Sequence, residues 1–186
     1  MYSGRLEPMK GAQDLVPLAT ALASGGCRFE LDIFGDGSLR DPIARGIANQ
    51  GLSDRVRLHG NVDFATALIP WQRQQADLFI SCHRQGDPSC TYIESMGCGL
   101  PVAGYANEMW GPLCRESGAD WADPVGNVAA LAARISTTPR TAIAAAAAAA
   151  LGFARRHDFD TELNGRMKHL ARVAQRTASD TDARDQ

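Results

Sequence analysis

The chain has 186 residues, of which 45% are hydrophobic and 22% charged, and its formal net charge is −2. This composition predicts one globular domain with a full core, and the charge argues against a nucleic-acid surface or a polybasic membrane patch. No apolar run is long enough for a spanning helix, and residues 1–10 lack the apolar centre of a signal peptide. The five cysteines form no CxxC pair, which is typical of reduced thiols. We therefore expect a cytoplasmic protein that could reach the inner membrane face only through a further domain.

Strand-like apolar runs alternate with helical patterns along the chain. The predicted strands lie at residues 1–4, 29–35, 56–60, 77–82 and 101–105. The predicted helices lie between and after them, at residues 12–26, 38–51, 63–75, 127–137, 139–157 and 160–175. Such alternation predicts an α/β fold, a doubly wound (Rossmann-like) parallel sheet with helices on both faces. We assign residues 1–175 to this domain and residues 176–186 to a polar tail that we expect to be disordered.

Ligands of doubly wound sheets bind beyond the carboxyl ends of the strands, so the loops there matter most. The loop GRLEPMKG runs from Gly4 to Gly11 after the first strand and holds two cations, Arg5 and Lys10. Arginine can bind an anion through two parallel hydrogen bonds and lysine acts as a point charge, which together suit a diphosphate. The alternative is that both are ordinary solvated loop cations.

The segment GDPSCTYIE leads from the fourth strand into a helix. Its small residues Ser89, Cys90 and Thr91 would leave backbone N–H groups pointing into the cleft, where they favour an anion. Glu94 has two interpretations. It can complete a capping box with Thr91, or it can face the cleft and accept hydrogen bonds from ligand hydroxyls.

Several other site types find no support in the sequence. The loop FGDGS is not a G-x-G-x-x-G motif, because Arg40 stands at the third glycine position, and there is no phosphate-binding G-x-x-x-x-G-K-[ST] motif. Cysteine and histidine spacing matches no zinc site, so we expect no metal. A His83–Cys90 nucleophilic pair would lack a third, orienting residue.

Taken together, these segments resemble the C-terminal domain of retaining GT-B glycosyltransferases of the large "group 1" family. The resemblance covers residues 3–174 and rests on segments in a fixed order: GRLEPMKG, LDIFGDG, VRLHGNV, DLFISCHRQGDPSCTYIESMGCGLPVAG and the final helices. It implies the C-terminal half of a GT-B fold. It also implies a nucleoside diphosphate sugar, carrying UDP or GDP, as donor substrate, with no cofactor and no divalent metal required.

The resemblance also implies roles for individual residues. Gly4, Arg5 and Lys10 would bind the donor diphosphate, and the two cations would support its departure. Glu94 would bind the ribose. The remaining expected contacts are the backbone amides before Glu94 and the loop after the third strand, which would contact the base: Ser89, Cys90, Thr91, Asn61 and Val62.

Two departures from the family pattern affect these expectations. The family commonly has a second acid eight positions before Glu94, and here that position is Gly86. Its neighbours Gln85 and Asp87 are the candidates to replace it, and we assign the sugar contact to Asp87. The N-terminal, acceptor-binding half is also missing from the sequence. As a partner it would act in cis or in trans, and the face that would meet it allows weak homodimerisation.

The sequence therefore predicts the donor half of a retaining, hexosyltransferase-type enzyme. Alone, it would bind a nucleotide sugar but transfer the sugar poorly, because half a cleft cannot bring donor and acceptor together. The alternatives are a non-catalytic nucleotide-sugar-binding or protein-interaction module, and a nucleotide-sugar epimerase, which would also need the absent half.

Overall fold

A computed structural model describes residues 1–86, 90–118 and 121–182 of the chain, with only the backbone from residue 176 onward. Its strands are β1 (Tyr2–Ser3), β2 (Leu31–Phe34), β3 (Val56–Gly60), β4 (Phe79–Ser81), β5 (Val102–Tyr105) and β6 (Ala122–Asp123). Its α-helices are α1 (Leu15–Ser24), α2 (Arg40–Asn49), α3 (Ile69–Gln75), α4 (Thr91–Gly97), α5 (Trp110–Ser117), α6 (Val128–Thr137), α7 (Arg140–Arg156) and α8 (Phe159–Asp182).

Two parallel three-stranded sheets, β1-β2-β3 and β4-β5-β6, make up the centre of the domain. They meet edge to edge at β1 and β4. The Met1 nitrogen donates to the Leu78 carbonyl at 2.7 Å, and the Ile80 N–H donates to the Met1 carbonyl at 2.8 Å. Across this seam the strand order becomes β3-β2-β1-β4-β5-β6. Strands β1 to β3 extend the sheet in one direction, and β4 to β6 extend it in the other. The predicted α/β, Rossmann-like fold is confirmed.

Buried apolar side chains fill both sides of the sheet. One cluster joins β1 and β2 to α1 and α6 through residues such as Tyr2, Leu18 and Leu131. A second cluster joins β4 and β5 to the helices that follow and includes Phe79 and Trp110. The segment with seven consecutive alanines lies within α7, which packs against α4 and α5 and so supports the helix that follows β4.

The end of the chain differs from the sequence expectation in one respect. Helix α8 runs to Asp182, so it includes residues that we expected to form a disordered polar tail. The division of the chain into a domain and a tail at residue 175 stays a prediction. One face of α8 exposes apolar side chains at helical spacing, namely Phe159, Leu163, Met167, Leu170 and Val173. Within the described residues, no helix combines the length and apolar character needed to span a bilayer.

Candidate functional site

The strand order places a crevice between the loops that follow β1 and β4. In an open parallel sheet, the loops after two neighbouring strands lead to opposite faces of the sheet where the strand order reverses. The loops separate there and leave a crevice between them. Here the reversal lies between β1 and β4, at the seam made by Met1 and Ile80. Two of the strand-end loops that the sequence predicted, residues 4–11 and the described parts of residues 83–91 (83–86 and 90–91), therefore follow adjacent strands at the same edge.

The loop after β1 is held in shape by the loop after β2. The Glu7 carboxylate accepts hydrogen bonds from the Ser38 N–H at 2.9 Å and from the Ser38 hydroxyl at 2.6 Å. These bonds lower the pKa of Glu7. The Leu6 N–H donates to the Asp36 carbonyl, and the Leu39 N–H donates to the Leu6 carbonyl, both at 2.9 Å. Because the backbone is held on both sides, binding to this loop need not order its backbone.

The same loop also rests directly on the end of β4. Gly11 has φ +67°, and a Cβ built on it would lie 1.7 Å from the Cys82 carbonyl oxygen. Only glycine combines this left-handed backbone with so close an approach. Two residues earlier in the same loop, the Met9 carbonyl accepts a hydrogen bond from the Arg84 N–H at 3.4 Å. The two walls of the crevice are thus in contact at its base.

Arg5 and Lys10 both belong to this fixed loop. The Tyr2 hydroxyl donates to the Arg5 carbonyl at 3.0 Å, which anchors the Arg5 backbone, while the Arg5 side chain is exposed and lies 3.7 Å from the Met9 sulfur. Lys10 is half-buried at the end of a short 3₁₀ turn, Pro8–Lys10. The structure therefore gives both predicted cations a defined backbone position beside β4.

A further ion pair that the sequence did not reveal closes the base of the crevice. Asp14, buried beside the start of α1, accepts two hydrogen bonds from Arg84 Nη2 at 2.9 and 2.8 Å and one from the Tyr105 hydroxyl at 3.0 Å. Burial raises the pKa of Tyr105, so its hydroxyl stays protonated and can donate. This cluster connects the segment after β1 to the ends of β4 and β5.

On the other wall, α4 begins at Thr91, and the residue before it, Cys90, caps the helix without a side-chain hydrogen bond. Glu94 is therefore the fourth residue of the helix, not the third, and a capping box with Thr91 at the cap position does not match this start. Glu94 is half-buried, and burial raises the pKa of its carboxyl. Two other predicted site residues, Asp87 and Ser89, lie outside the described residues.

A buried polar network fixes the end of β4 against α4 and α5. The Tyr92 hydroxyl accepts hydrogen bonds from the Ser81 hydroxyl at 3.1 Å and from Asn107 Nδ2 at 3.2 Å. Asn107 Nδ2 also donates to the His83 carbonyl at 3.0 Å, and Asn107 Oδ1 accepts from the Trp110 N–H at 2.7 Å. The sequence analysis missed the Asn107 side chain as a link, because two of its partners, His83 and Tyr92, lie 24 and 15 residues away along the chain.

Asn61 and Val62, predicted to contact a base, lie after β3 and are both exposed. They share the sheet edge with the crevice but are separated from β1 by β2. Among the described residues, no group of three or more His, Cys, Asp or Glu side chains is arranged to hold a metal ion.

Comparison with known proteins places the chain in a family. The family described as "Glycosyl transferases group 1" matches residues 1–138, which include the whole crevice. The chain belongs to this family. The GtfA subunit of a UDP-N-acetylglucosamine–peptide N-acetylglucosaminyltransferase from Streptococcus gordonii is 31% identical over 75 residues, which are 40% of this chain and 14% of that protein.

Solved structures of several other proteins share the fold. The pneumococcal O-GlcNAc transferase GtfA, in complex with UDP and GlcNAc, superposes with a TM-score of 0.74 at 19% identity over 93% of this chain and 35% of its own. HepE from Anabaena, in complex with UDP, gives 0.71 at 23% identity over 96% and 48%. Sucrose-phosphate synthase from Thermosynechococcus elongatus gives 0.78 at 18% identity over 95% and 45%. The chain thus spans about half, or less, of the length of each.

Proposed function

We propose that this chain is the donor-binding part of a retaining glycosyltransferase whose donor is a UDP-sugar. The observation that carries the proposal is the reversal of strand order between β1 and β4, with Arg5 and Lys10 on the fixed loop after β1 and the half-buried Glu94 on the helix after β4. The relatives solved with UDP, GtfA and HepE, support uracil as the base. Retention, hexose transfer and independence from divalent metal remain parts of this proposal.

The charges of the crevice match the parts of a nucleotide sugar. When the bond between the sugar C1 and the diphosphate oxygen breaks, its electron pair stays on the diphosphate, which gains negative charge. Arg5 and Lys10 would stabilise that charge, and the backbone around Cys90 and Thr91 would add N–H donors. In a retaining reaction, the acceptor oxygen bonds to C1 on the face that the diphosphate leaves, and the acceptor proton is lost. These steps need an acceptor site, for which we propose a separate N-terminal half.

The position of Glu94 leads to a test of the nucleotide site. Burial raises the pKa of its carboxyl. We expect Glu94→Gln to weaken UDP binding about tenfold, the value of one charge-assisted hydrogen bond. We also expect wild-type affinity to fall as the pH drops through the pKa of Glu94, because ribose hydroxyls bind the ionised carboxylate. The affinity of the glutamine variant should not change over this range.

The same substitution, Glu94→Gln, should change the stability of the fold in the direction opposite to its effect on UDP affinity. A carboxyl whose pKa is raised by folding stabilises the fold at low pH and loses that contribution as the pH rises through its folded pKa. Glu94→Gln should therefore raise the Tm at pH 7, with the difference vanishing in acid. The matched control is Asp54→Asn. Asp54 is an exposed acid just before β3, at the amino ends of the strands and so away from the crevice. If Glu94→Gln binds UDP as well as wild type, Glu94 does not contact the ribose.

Transfer itself can be tested with a hybrid enzyme. We expect the chain alone to bind a UDP-sugar and to transfer little sugar, since proximity of donor and acceptor supplies much of the rate. Fused to the acceptor-binding half of a relative such as GtfA, it should give a product whose anomeric configuration, read by NMR, equals that of the donor. A product of inverted configuration would contradict the retaining mechanism.

One observation favours a second candidate, a protein-interaction module. The apolar face of α8 is exposed at 78% for Phe159 and 59% for Leu170, and such a face favours contact with other protein. This candidate becomes the better one if no nucleotide binds.

A further inference from the structure

The space beside Gly86 is filled by a carboxylate from another loop. A Cβ placed on Gly86 would lie 2.7 Å from both the Cβ and the Oε2 of Glu108. Gly86 does not belong to the glycines with a positive φ, so its backbone does not itself require glycine. The requirement is steric, because any larger residue here would displace Glu108. The end of β4 and the loop after β5 are thus fitted to each other at this point.

The position of Glu108 is set by its neighbours. Asn107, buried, donates to the His83 carbonyl and accepts from the Met109 and Trp110 N–H groups, so the backbone around Glu108 is held from β4 and from α5. The Glu108 residue itself is exposed at the strand-end edge. Among the residues that the structure describes, its carboxylate has no hydrogen-bond or ion-pair partner.

The chemistry of a carboxylate limits what it can bind in this crevice. It repels a diphosphate and attracts groups that donate hydrogen bonds, and a sugar presents several neutral hydroxyl donors. If Glu94, on α4, takes the ribose, the hydroxyl-bearing part that remains is the transferred sugar. We propose that Glu108, which lies in the space left by the missing side chain of Gly86, is a specificity-determining residue that accepts hydrogen bonds from hydroxyls of the transferred sugar. The inference rests on the proposed donor site.

The test measures, by calorimetric titration, the affinity of the full chain for UDP, UDP-glucose and UDP-GlcNAc. Glu108→Gln should weaken binding of at least one UDP-sugar about tenfold, the loss of one charge-assisted hydrogen bond, and leave UDP binding within twofold. Equal affinity of wild type and variant for both UDP-sugars would overturn the inference. A matched variant, Asp87→Asn, tests the residue assigned from sequence. If Asp87→Asn removes the difference between UDP-sugar and UDP affinity and Glu108→Gln does not, Glu108 does not bind the sugar.

A double-mutant cycle separates a sugar contact from a merely structural one. Gly86→Ala should reduce UDP-sugar affinity by displacing Glu108, and this loss should disappear in the Glu108→Ala background. If Glu108 only stabilises the start of α5, Glu108→Gln will lower the Tm without changing the ratio of UDP to UDP-sugar affinity, which would refute the inference. Failure of wild type to bind UDP at all would instead refute the proposed donor site, so the two failures are distinguishable.

Discussion

Replacing Arg5 and Lys10 together with alanine is expected to weaken UDP binding by about 100-fold or more, because each charge-assisted contact to a phosphate contributes roughly 1.5–3 kcal/mol. The fold should survive, since the Arg5 side chain is exposed and its backbone is anchored by the Tyr2 hydroxyl. Titration calorimetry with UDP measures the affinity, and thermal unfolding checks the fold. Single variants should each show part of the loss, with Arg5→Lys intermediate, because lysine keeps the charge but not the paired geometry.

The control for this prediction removes the same charges elsewhere. Arg28 lies just before β2, at the amino edge of the strands, and Lys168 lies on α8. Arg28→Ala with Lys168→Ala changes the net charge by the same amount and should leave UDP affinity within twofold at moderate ionic strength. Equal losses in both double variants would show that binding depends on overall charge and not on this loop.

Gly11→Ala should have the largest effect on stability. The added methyl group would lie 1.7 Å from the Cys82 carbonyl oxygen, and the backbone there has φ +67°. Neither atom belongs to a flexible side chain, so the loop must lift away from the end of β4. We expect a loss of about 3 kcal/mol or more in the free energy of unfolding, together with loss of UDP binding, since the loop carries both cations.

Gly51→Ala is the matched control for this variant. Gly51 has nearly the same backbone angle, φ +64°, but nothing lies within 4 Å of a Cβ built on it. Its cost should be the conformational one alone, about 1 kcal/mol, with UDP binding unchanged. Denaturant unfolding of both variants isolates the steric part. Similar stability of the two would mean that the loop after β1 does not rest on β4 as described.

Much of the fold could be predicted because it depends on local patterns. Apolar runs that stop at a glycine, such as those ending near Gly35 and Gly60, indicated β2 and β3, and their alternation with helices indicated a parallel sheet. The short elements β6 and α5 were not predicted. β6 has only two residues, Ala122–Asp123, and the eight residues of α5 include Gly111 and Pro112, so neither shows a period long enough to recognise.

The sequence alone indicates candidate charged residues for the site but not the contacts that position them. Arg5, Lys10 and Glu94 stand out by type and position within strand-end loops. Asp14 and Arg84 are 70 residues apart, and Glu7 and Ser38 are 31 apart, so no local spacing connects either pair. The contact of Glu108 with Gly86 likewise depends on two neighbouring strands meeting at one edge. Such contacts follow from strand order, which a single sequence does not state.

The most direct measurement is calorimetric titration of the chain with UDP, GDP and ADP, each without and with magnesium. The donor-site proposal predicts that UDP binds best, that binding does not require magnesium, and that it is lost in the Arg5→Ala/Lys10→Ala variant. Binding of none of the three nucleotides, or equal binding by wild type and the double variant, would contradict the assignment of the crevice between β1 and β4 as a nucleotide-sugar site.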